Sequence, residues 1–252
     1  MRRTIHTNIL IITILSLMSS CEDENLNKGF PVPKEGLIAW YPFNGNANDE
    51  SIFSHHGFVN GAELINDRDG NPESAFSFNG INQRIIIDDH DSLSFENAIF
   101  SYSYWVKFSD VINENGSPIL CKYKITTNFE YGSYIYQDNT MQFSLLDLNG
   151  GCGVQVGHVD DVTDYLSDWH NFIFIADGIN GSAIYADGEL IDESNANISC
   201  VPENGSGDLY FGFGGGWNQQ IYFKGQLDDI AFWNRPLTQD EVKKIFKGTG
   251  FN

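Results

Sequence analysis

The sequence predicts an all-β protein, a two-sheet antiparallel β-sandwich with one short C-terminal helix. Asn-Gly or Asp-Gly pairs recur along the chain and supply the positive φ of tight hairpin turns; they begin at residues 44, 60, 69, 79, 115, 149, 177, 180, 187 and 204. Between these turns, apolar and polar residues alternate as in strands that bury one face. Helical periodicity is confined to the C-terminal end, so the chain is predicted to be almost entirely strand and turn.

The clearest strand pattern lies in residues 100–108. Its apolar face carries Phe100, Tyr102, Tyr104, Val106 and Phe108, and its other face is more polar. Residues 141–145 and 209–213 alternate in the same way. Residues 238–241 read TQDE, a capping-box pattern that precedes the apolar positions Val242, Ile245 and Phe246. This pattern predicts the C-terminal helix.

Composition excludes several classes of protein. The 252 residues are 41% hydrophobic and 14% aromatic, which is typical of a folded domain and not of a disordered chain. Lys and Arg number 14 against 34 Asp and Glu, and the formal net charge is −20. Nucleic-acid binding needs a cationic surface, so we expect no nucleic-acid partner.

The N-terminus predicts export. Arg2 and Arg3 precede an apolar run over residues 9–18, which is too short to span a bilayer because a spanning helix needs about 20 residues. Residues 1–20 are therefore predicted to be a signal peptide. The segment LMSSC, residues 17–21, resembles the lipobox of bacterial lipoproteins, which implies lipid attachment at Cys21. A plain secretory signal followed by an unmodified Cys21 is the alternative.

Residues 21–35 are predicted to be an acidic, proline-containing tether to a single domain at 36–252. The acids at 22–24 resemble the surface-export signal of Bacteroidetes lipoproteins, which implies an outer-membrane lipoprotein exposed at the cell surface. A periplasmic lipoprotein is the alternative. The acidic surface repels anionic lipid, so the lipid at Cys21 would be the contact with the membrane.

Five segments together carry a family resemblance. They follow one another in the chain as GLIAWYPFNGNAND (36–49), SAFSFNG (74–80), YWVK (104–107), DWH with YADG (168–170 and 185–188) and FKGQLDDIAFWNRPL (223–237). In this order they resemble the laminin G-like and pentraxin-like branch of the concanavalin A-like domains. The resemblance implies a jelly roll, a fold used by lectins, adhesion modules and some glycan hydrolases.

The resemblance also implies a structural calcium ion that ties the first loop to the last strand. Asp49 and Asp228 would be its side-chain ligands, with backbone carbonyls from residues 44–57. Residues 51–57 read SIFSHHG and lack two glycines that family members often have there. The alternative is that these acids stabilise turns and strand edges without a metal.

Three cysteines follow Cys21. An exported protein meets an oxidising compartment, so one disulfide and one buried thiol are expected. Cys152 and Cys200 border loops rich in Gly, Asn and Pro, whereas Cys121 lies in an apolar run. The pattern favours a bond between Cys152 and Cys200, although the sequence leaves the pairing open.

A carbohydrate site is predicted around Trp217. This residue follows three glycines and precedes Asn218 and Gln219. A sugar ring stacks on an indole while amides bond its hydroxyl groups, and glycine permits close approach. The alternative is that Trp217 folds back over a sheet edge. The other four tryptophans are expected to pack on the sheets.

No pair of carboxylates suits glycoside hydrolysis. Glu189 and Asp192 are three positions apart and would point to opposite faces of a strand. We therefore expect a non-enzymatic, membrane-anchored and monomeric binding module whose partner is a glycan. The alternatives are an adhesion module that binds a cell-surface protein and, less favoured, a glycoside hydrolase or lyase.

Overall fold

A computed structural model describes residues 32–95, 97–109, 116–124, 128–147, 152–198, 206–216 and 219–248. The predicted signal peptide, Cys21 and most of the tether lie outside these residues. Within the described ranges, no helix has the length and hydropathy needed to cross a membrane.

The described residues form seventeen strands and one α-helix. In chain order these are β1 (Leu37–Tyr41), β2 (Gly57–Asn60), β3 (Glu63–Ile65), β4 (Ala75–Asn79), β5 (Arg84–Ile87), β6 (Ile99–Phe108), β7 (Ser117–Lys124), β8 (Asn128–Ile135), β9 (Met141–Asp147), β10 (Cys152–Val159), β11 (Trp169–Asp177), β12 (Ser182–Ala186), β13 (Glu189–Ser194), β14 (Asp208–Phe211), β15 (Phe213–Gly216), β16 (Gln219–Tyr222), β17 (Lys224–Trp233) and α1 (Gln239–Lys247).

Two large antiparallel sheets form a sandwich. The first has eight strands in the order β13-β12-β11-β6-β17-β4-β3, and β1 also pairs with β17. The second has seven strands in the order β10-β9-β8-β7-β14-β5-β2, and β15 with β16 forms a separate hairpin. The predicted all-β sandwich with a short C-terminal helix is confirmed.

The core between the sheets is aromatic. On β6 the residues predicted to be apolar and buried are all buried, among them Phe100, Tyr102 and Tyr104. They pack with Phe172 and Phe174 of β11 and with the facing strands of the second sheet. The intervening side chains of β6 therefore point to the outer face of the first sheet.

Helix α1 covers part of that outer face. Thr238 and Glu241 form the predicted capping box, and Arg235 forms an ion pair with Glu241. Val242 and Ile245 pack with the fully buried Trp233 in a second cluster, outside the main core. The amphipathic helix is thus fixed at its N-terminus and along one side.

The hairpin β15–β16 covers part of the outer face of the second sheet. Residues 209–213, which alternate as one predicted strand, are divided at Gly212 between β14 and the hairpin. Gly212 has φ +76°, and a Cβ atom there would clash with the ring of Phe78. The prediction of a single strand was wrong because only glycine accommodates this left-handed turn beside a core ring.

Candidate functional site

A cleft opens on the outer face of the first sheet, beside the C-terminal end of α1. Its volume is about 340 Å³, and it is lined by Arg68, Asp69, Trp105, Asp168, Trp169, Phe246, Lys247 and Gly248. This volume lies at the lower end of the range for small-ligand sites. Aromatic rings and charged groups share the lining, so the cleft can bind a ligand with both apolar and polar surface.

Strand register brings the two indoles of the cleft together. Trp105 of β6 pairs with Asn171 of β11, and Trp169 pairs with Lys107 two residues away. Trp105 and Lys107 alternate with the buried residues of β6, so both occupy the outer face. Trp105 and Trp169 are half-buried, and both line the cleft.

Arg68 holds one side of the cleft in place. Its guanidinium donates from Nη1 to Asp228 Oδ2 at 2.5 Å and from Nη2 to Asp229 Oδ2 at 2.7 Å. The same group lies over the ring of Trp105, with its carbon 4.3 Å from the ring centroid. A guanidinium held by two carboxylates and an indole has little freedom to move.

A bulge in β17 makes this double ion pair possible. Consecutive strand residues ordinarily point to opposite faces, yet Asp228 and Asp229 both reach Arg68. The register of β17 against β6 shifts between Asp228 and Ala231, and Asp229 has φ +45°. The bulge therefore turns two adjacent carboxylates toward one cation.

Burial raises the pKa of Asp228, and the like charge of Asp229 raises it further. The positive charge of Arg68 opposes both effects. The two acids are thus electrostatically dependent on Arg68, and they lie behind it instead of lining the cleft.

The turn that carries Arg68 is itself ordered by hydrogen bonds. Asp67 Oδ1 accepts from the backbone amides of Asp69 at 2.9 Å and Asn71 at 2.8 Å, and its Oδ2 accepts from the Asn71 side chain. The turn predicted at the Asp-Gly pair of residues 69 and 70 is confirmed. It fixes Arg68 on the ion pair and leaves the Asp69 side chain exposed at the cleft.

The end of α1 forms the opposite wall. The Phe246 ring is stacked on Trp105, with 5.8 Å between centroids and 22° between planes. Gly248 ends the helix in the left-handed conformation at φ +61°. Lys247 and Asp168 are exposed beside these rings, and Asp168 Oδ1 accepts from the Trp169 amide at 2.8 Å.

The structure places Asp49, a predicted calcium ligand, in a saturated loop site. Its Oδ1 accepts from the amides of Trp40 and Ser51, each at 2.8 Å. Its Oδ2 accepts from the Ser51 hydroxyl at 2.8 Å and from the His55 amide at 2.9 Å. The carboxylate thus organises the opening loop through four hydrogen bonds from the protein.

This bonding does not fit Asp49 and Asp228 as ligands of one calcium ion. Asp49 would have to give up loop hydrogen bonds, and Asp228 would have to leave Arg68. Within the ranges that the structure describes, no three His, Cys, Asp or Glu side chains are grouped to hold a metal ion. Calcium binding stays a prediction.

The predicted carbohydrate loop is described only in part. Trp217 and Asn218 lie outside the described residues, and Gln219 begins β16 as the partner of Gly216. The preceding glycines lie against rings of the second sheet, since a Cβ atom on Gly215 would come within 2.6 Å of Tyr123. A role for these residues in sugar binding stays a prediction.

The cysteines are likewise described in part. Cys121 is a buried free thiol whose Sγ lies 3.1 Å from Tyr134 Oη, and burial raises its pKa. Cys152 begins β10, and Cys200 lies outside the described residues. The bond between Cys152 and Cys200 stays a prediction.

Glu130 is a further buried acid with the kind of perturbed pKa that is often found in active sites. Burial raises the pKa of Glu130 to about 7, against the opposing charge of Lys122. Both side chains are almost fully buried, and Lys122 also bonds Asp89 at 2.5 Å. Glu130 does not line the cleft, so this ion-pair cluster is part of the fold.

Sequence reasoning missed the cleft because it assigned Trp105 and Trp169 to sheet packing. One signal was present: Trp105 falls among the serines and lysine of the polar face of its strand. A large indole on that face is either covered by another element or left open for a ligand. Arg68 carried no comparable signal, since it bonds a residue 160 positions away.

Comparisons with known proteins agree with this architecture. A laminin G-type family model, described as the concanavalin A-like lectin/glucanases superfamily, matches residues 78–243. A search of curated proteins found no match to this chain.

Solved structures with the same fold include the binding domain of Paraclostridial Mosquitocidal Protein 1 (TM-score 0.68, 16% identity). They also include domain 4 of AbnA, a GH43 extracellular arabinanase from Geobacillus stearothermophilus, in complex with arabinotriose (0.63, 17%). A third is the ligand-binding domain of botulinum neurotoxin serotype D in complex with N-acetylneuraminic acid (0.66, 16%).

The alignments cover 84%, 83% and 85% of this chain, respectively. They cover 97% of the arabinanase domain but only 52% and 51% of the two toxin domains, so the chain spans about half the length of those two. At these identities the likeness establishes the fold. Together with the family match, it shows that the chain belongs to the concanavalin A-like lectin/glucanase superfamily.

Proposed function

We propose that the protein is a non-catalytic glycan-binding module and that the cleft on the first sheet binds the sugar. One observation carries this proposal: two half-buried indoles, Trp105 and Trp169, share a small cleft with the exposed carboxylates of Asp69 and Asp168. A sugar ring offers an apolar face to an aromatic ring and hydroxyl groups to polar acceptors.

Two of the fold neighbours support the choice of ligand. The arabinanase domain was solved with arabinotriose, and the serotype D domain was solved with N-acetylneuraminic acid. Both ligands are carbohydrates, although the two differ in charge. Glycan binding by this chain is therefore consistent with what its fold is used for elsewhere.

The ion-pair geometry removes one pair of adjacent acids from a catalytic role. A retaining glycosidase needs two carboxyl groups facing one bond of the substrate. The adjacent acids Asp228 and Asp229 are instead committed to Arg68 and lie behind it. We expect no hydrolysis of any glycan that the protein retains.

Anchoring at the cell surface is the second part of the proposal. Cys21 and the acids that follow it support an outer-membrane lipoprotein, with the module held outside by its lipid. Growth with a labelled fatty acid should label the wild-type protein and leave Cys21→Ala unlabelled. Protease treatment of intact cells should then remove the module if it is exposed.

A glycan array with the purified module, residues 21–252, tests the function. We expect retention of a defined set of glycans, and we expect Trp169→Ala to weaken the best of them about 30-fold, since an aromatic anchor contributes about 2 kcal/mol. Trp217→Ala is the matched control and should change affinity less than about twofold on the same scale. Full affinity in Trp169→Ala would contradict the cleft as the binding site.

Protein binding is a second candidate because the opening loop exposes two adjacent apolar side chains. Ile52 is 91% exposed and Phe53 is 40% exposed. Apolar side chains of this kind are used at adhesive surfaces. This function predicts capture of a cell-surface protein that is lost in Ile52→Ser/Phe53→Ser and unchanged in Trp169→Ala and Trp217→Ala.

A further inference from the structure

We infer that the cleft selects neutral sugars and discriminates against sugar acids such as sialic or uronic acids. This inference rests on the proposed glycan binding and specifies its ligand class. It concerns a point on which the two sugar-bound fold neighbours differ, since arabinotriose is neutral and N-acetylneuraminic acid is anionic.

Arg68 is already paired with two acids of the protein. A guanidinium recognises a carboxylate through parallel N–H donors. In Arg68, Nη1 donates to Asp228 and Nη2 donates to Asp229, and the face of the group lies over Trp105. A sugar carboxylate would have to compete with two acids that the protein places at 2.5 and 2.7 Å.

The charges at the cleft do not favour an anion. Asp69 and Asp168 are exposed at its lining, and Lys247 is an exposed cation beside them. Lys107 adds a cation on the same sheet face, next to Trp169 in register. Arg68 is paired with Asp228 and Asp229, so its charge is already balanced, and the whole chain carries −20. An anionic ligand gains no net attraction from this field.

The chemistry of the exposed acids also favours a neutral ligand. An ionised carboxylate accepts hydrogen bonds and donates none. Asp69 and Asp168 can therefore accept from sugar hydroxyl groups, which are donors, but they repel a ligand carboxylate. The half-buried surfaces of Trp105 and Trp169 would also remove water from a bound charge, which is costly without a matching cation.

The test is calorimetric titration with matched sugars that differ by one carboxylate. Two pairs suffice: glucose-terminated against glucuronic acid-terminated oligosaccharides, and the methyl ester of a sialylated oligosaccharide against the free acid. We expect the neutral member of a pair to bind at least about tenfold more tightly, or by about 1.4 kcal/mol, because an uncompensated like charge near the surface opposes binding.

Variants show whether the charges of the cleft cause this preference. Asp69→Asn/Asp168→Asn should narrow the gap between the neutral and acidic members about threefold or more. Asp88→Asn, an exposed acid at the end of β5, is the control and should leave the gap unchanged.

Two negative results have different meanings. Tighter binding of the acidic sugar, lost in Lys247→Ala, would overturn the inference while leaving the proposed glycan binding intact. Failure of the wild-type module to bind any neutral or acidic glycan on the array would overturn the proposed function and the inference with it.

Discussion

The outer faces of the two sheets are covered in different ways. The first sheet is covered by helix α1, which meets the strands through side chains such as Val242 and Ile245. The second is covered by the hairpin β15–β16, which meets the strands through glycine backbone at Gly214 and Gly215. Both covers bury aromatic residues, but the cleft that we describe lies on the first face only.

The difference follows from how closely each cover can approach. Glycine has no Cβ, so the hairpin backbone lies close against the ring of Tyr123 at Gly215 and against Pro118 and the Tyr134 hydroxyl at Gly214. A helix is a cylinder separated from a sheet by its own side chains. Where α1 ends, at Gly248, the sheet beyond it keeps Trp105 and Trp169 half-buried. The surface of the first sheet beyond the end of α1 is therefore left available to a ligand.

Replacing Trp233, which packs with side chains of α1, should have the largest effect on stability. Trp233 is fully buried, and its Nε1 donates to Pro33 O at 2.8 Å. Trp233→Ala is expected to lower the free energy of unfolding by about 3 to 5 kcal/mol. Chemical denaturation would measure this loss, provided that the m-value is the same in the wild-type protein and the variant. A loss below about 1 kcal/mol would show that α1 is held by other contacts.

Adding one carbon to a glycine of the β15–β16 hairpin should destabilise its packing on the second sheet. Gly215→Ala would place Cβ 2.6 Å from the Tyr123 ring and should cost about 1 to 3 kcal/mol by overpacking. In a Tyr123→Leu background the same change should cost less, because the obstructing ring is absent. Equal costs in the two backgrounds would contradict close backbone packing as the reason for this glycine.

The helical cover should also depend on pH. The Arg235 guanidinium lowers the pKa of Glu241 to about 2, below the usual value near 4.3. The ionised form thus contributes stability that is complete above about pH 4.3 and is lost as the pH falls toward 2. Glu241→Gln should remove this part of the acid sensitivity, which a comparison of unfolding free energies at pH 5 and pH 3 would detect. If Glu241→Gln shows the same difference in unfolding free energy between pH 5 and pH 3 as the wild type, the ion pair is not the source of this acid sensitivity.

Calcium should have the smallest effect. Asp49 is saturated by hydrogen bonds and Asp228 is paired with Arg68, so wild-type Tm should be the same in calcium and in a chelator. Arg68→Ala leaves Asp228 and Asp229 without their cation, and calcium should then raise Tm. A calcium-dependent rise in the wild-type protein would restore the ion implied by the family resemblance.

The fold could be predicted from sequence because its determinants are local. Alternation in residues 100–108 identified the buried face of β6, and the pattern at 238–241 located the start of α1. The cleft could not be predicted because it depends on distant contacts. Arg68 reaches Asp228 across 160 positions, and the bulge that turns Asp229 toward it has no sequence pattern of its own.

The most direct test of the cleft is the response of the tryptophan indole N–H resonances to a retained glycan. The five tryptophans give five such signals, which single Trp→Phe variants would assign. We predict that the resonances of Trp105 and Trp169 shift on titration while those of Trp40 and Trp233 stay in place. A shift confined to Trp217 would contradict the cleft as the binding site.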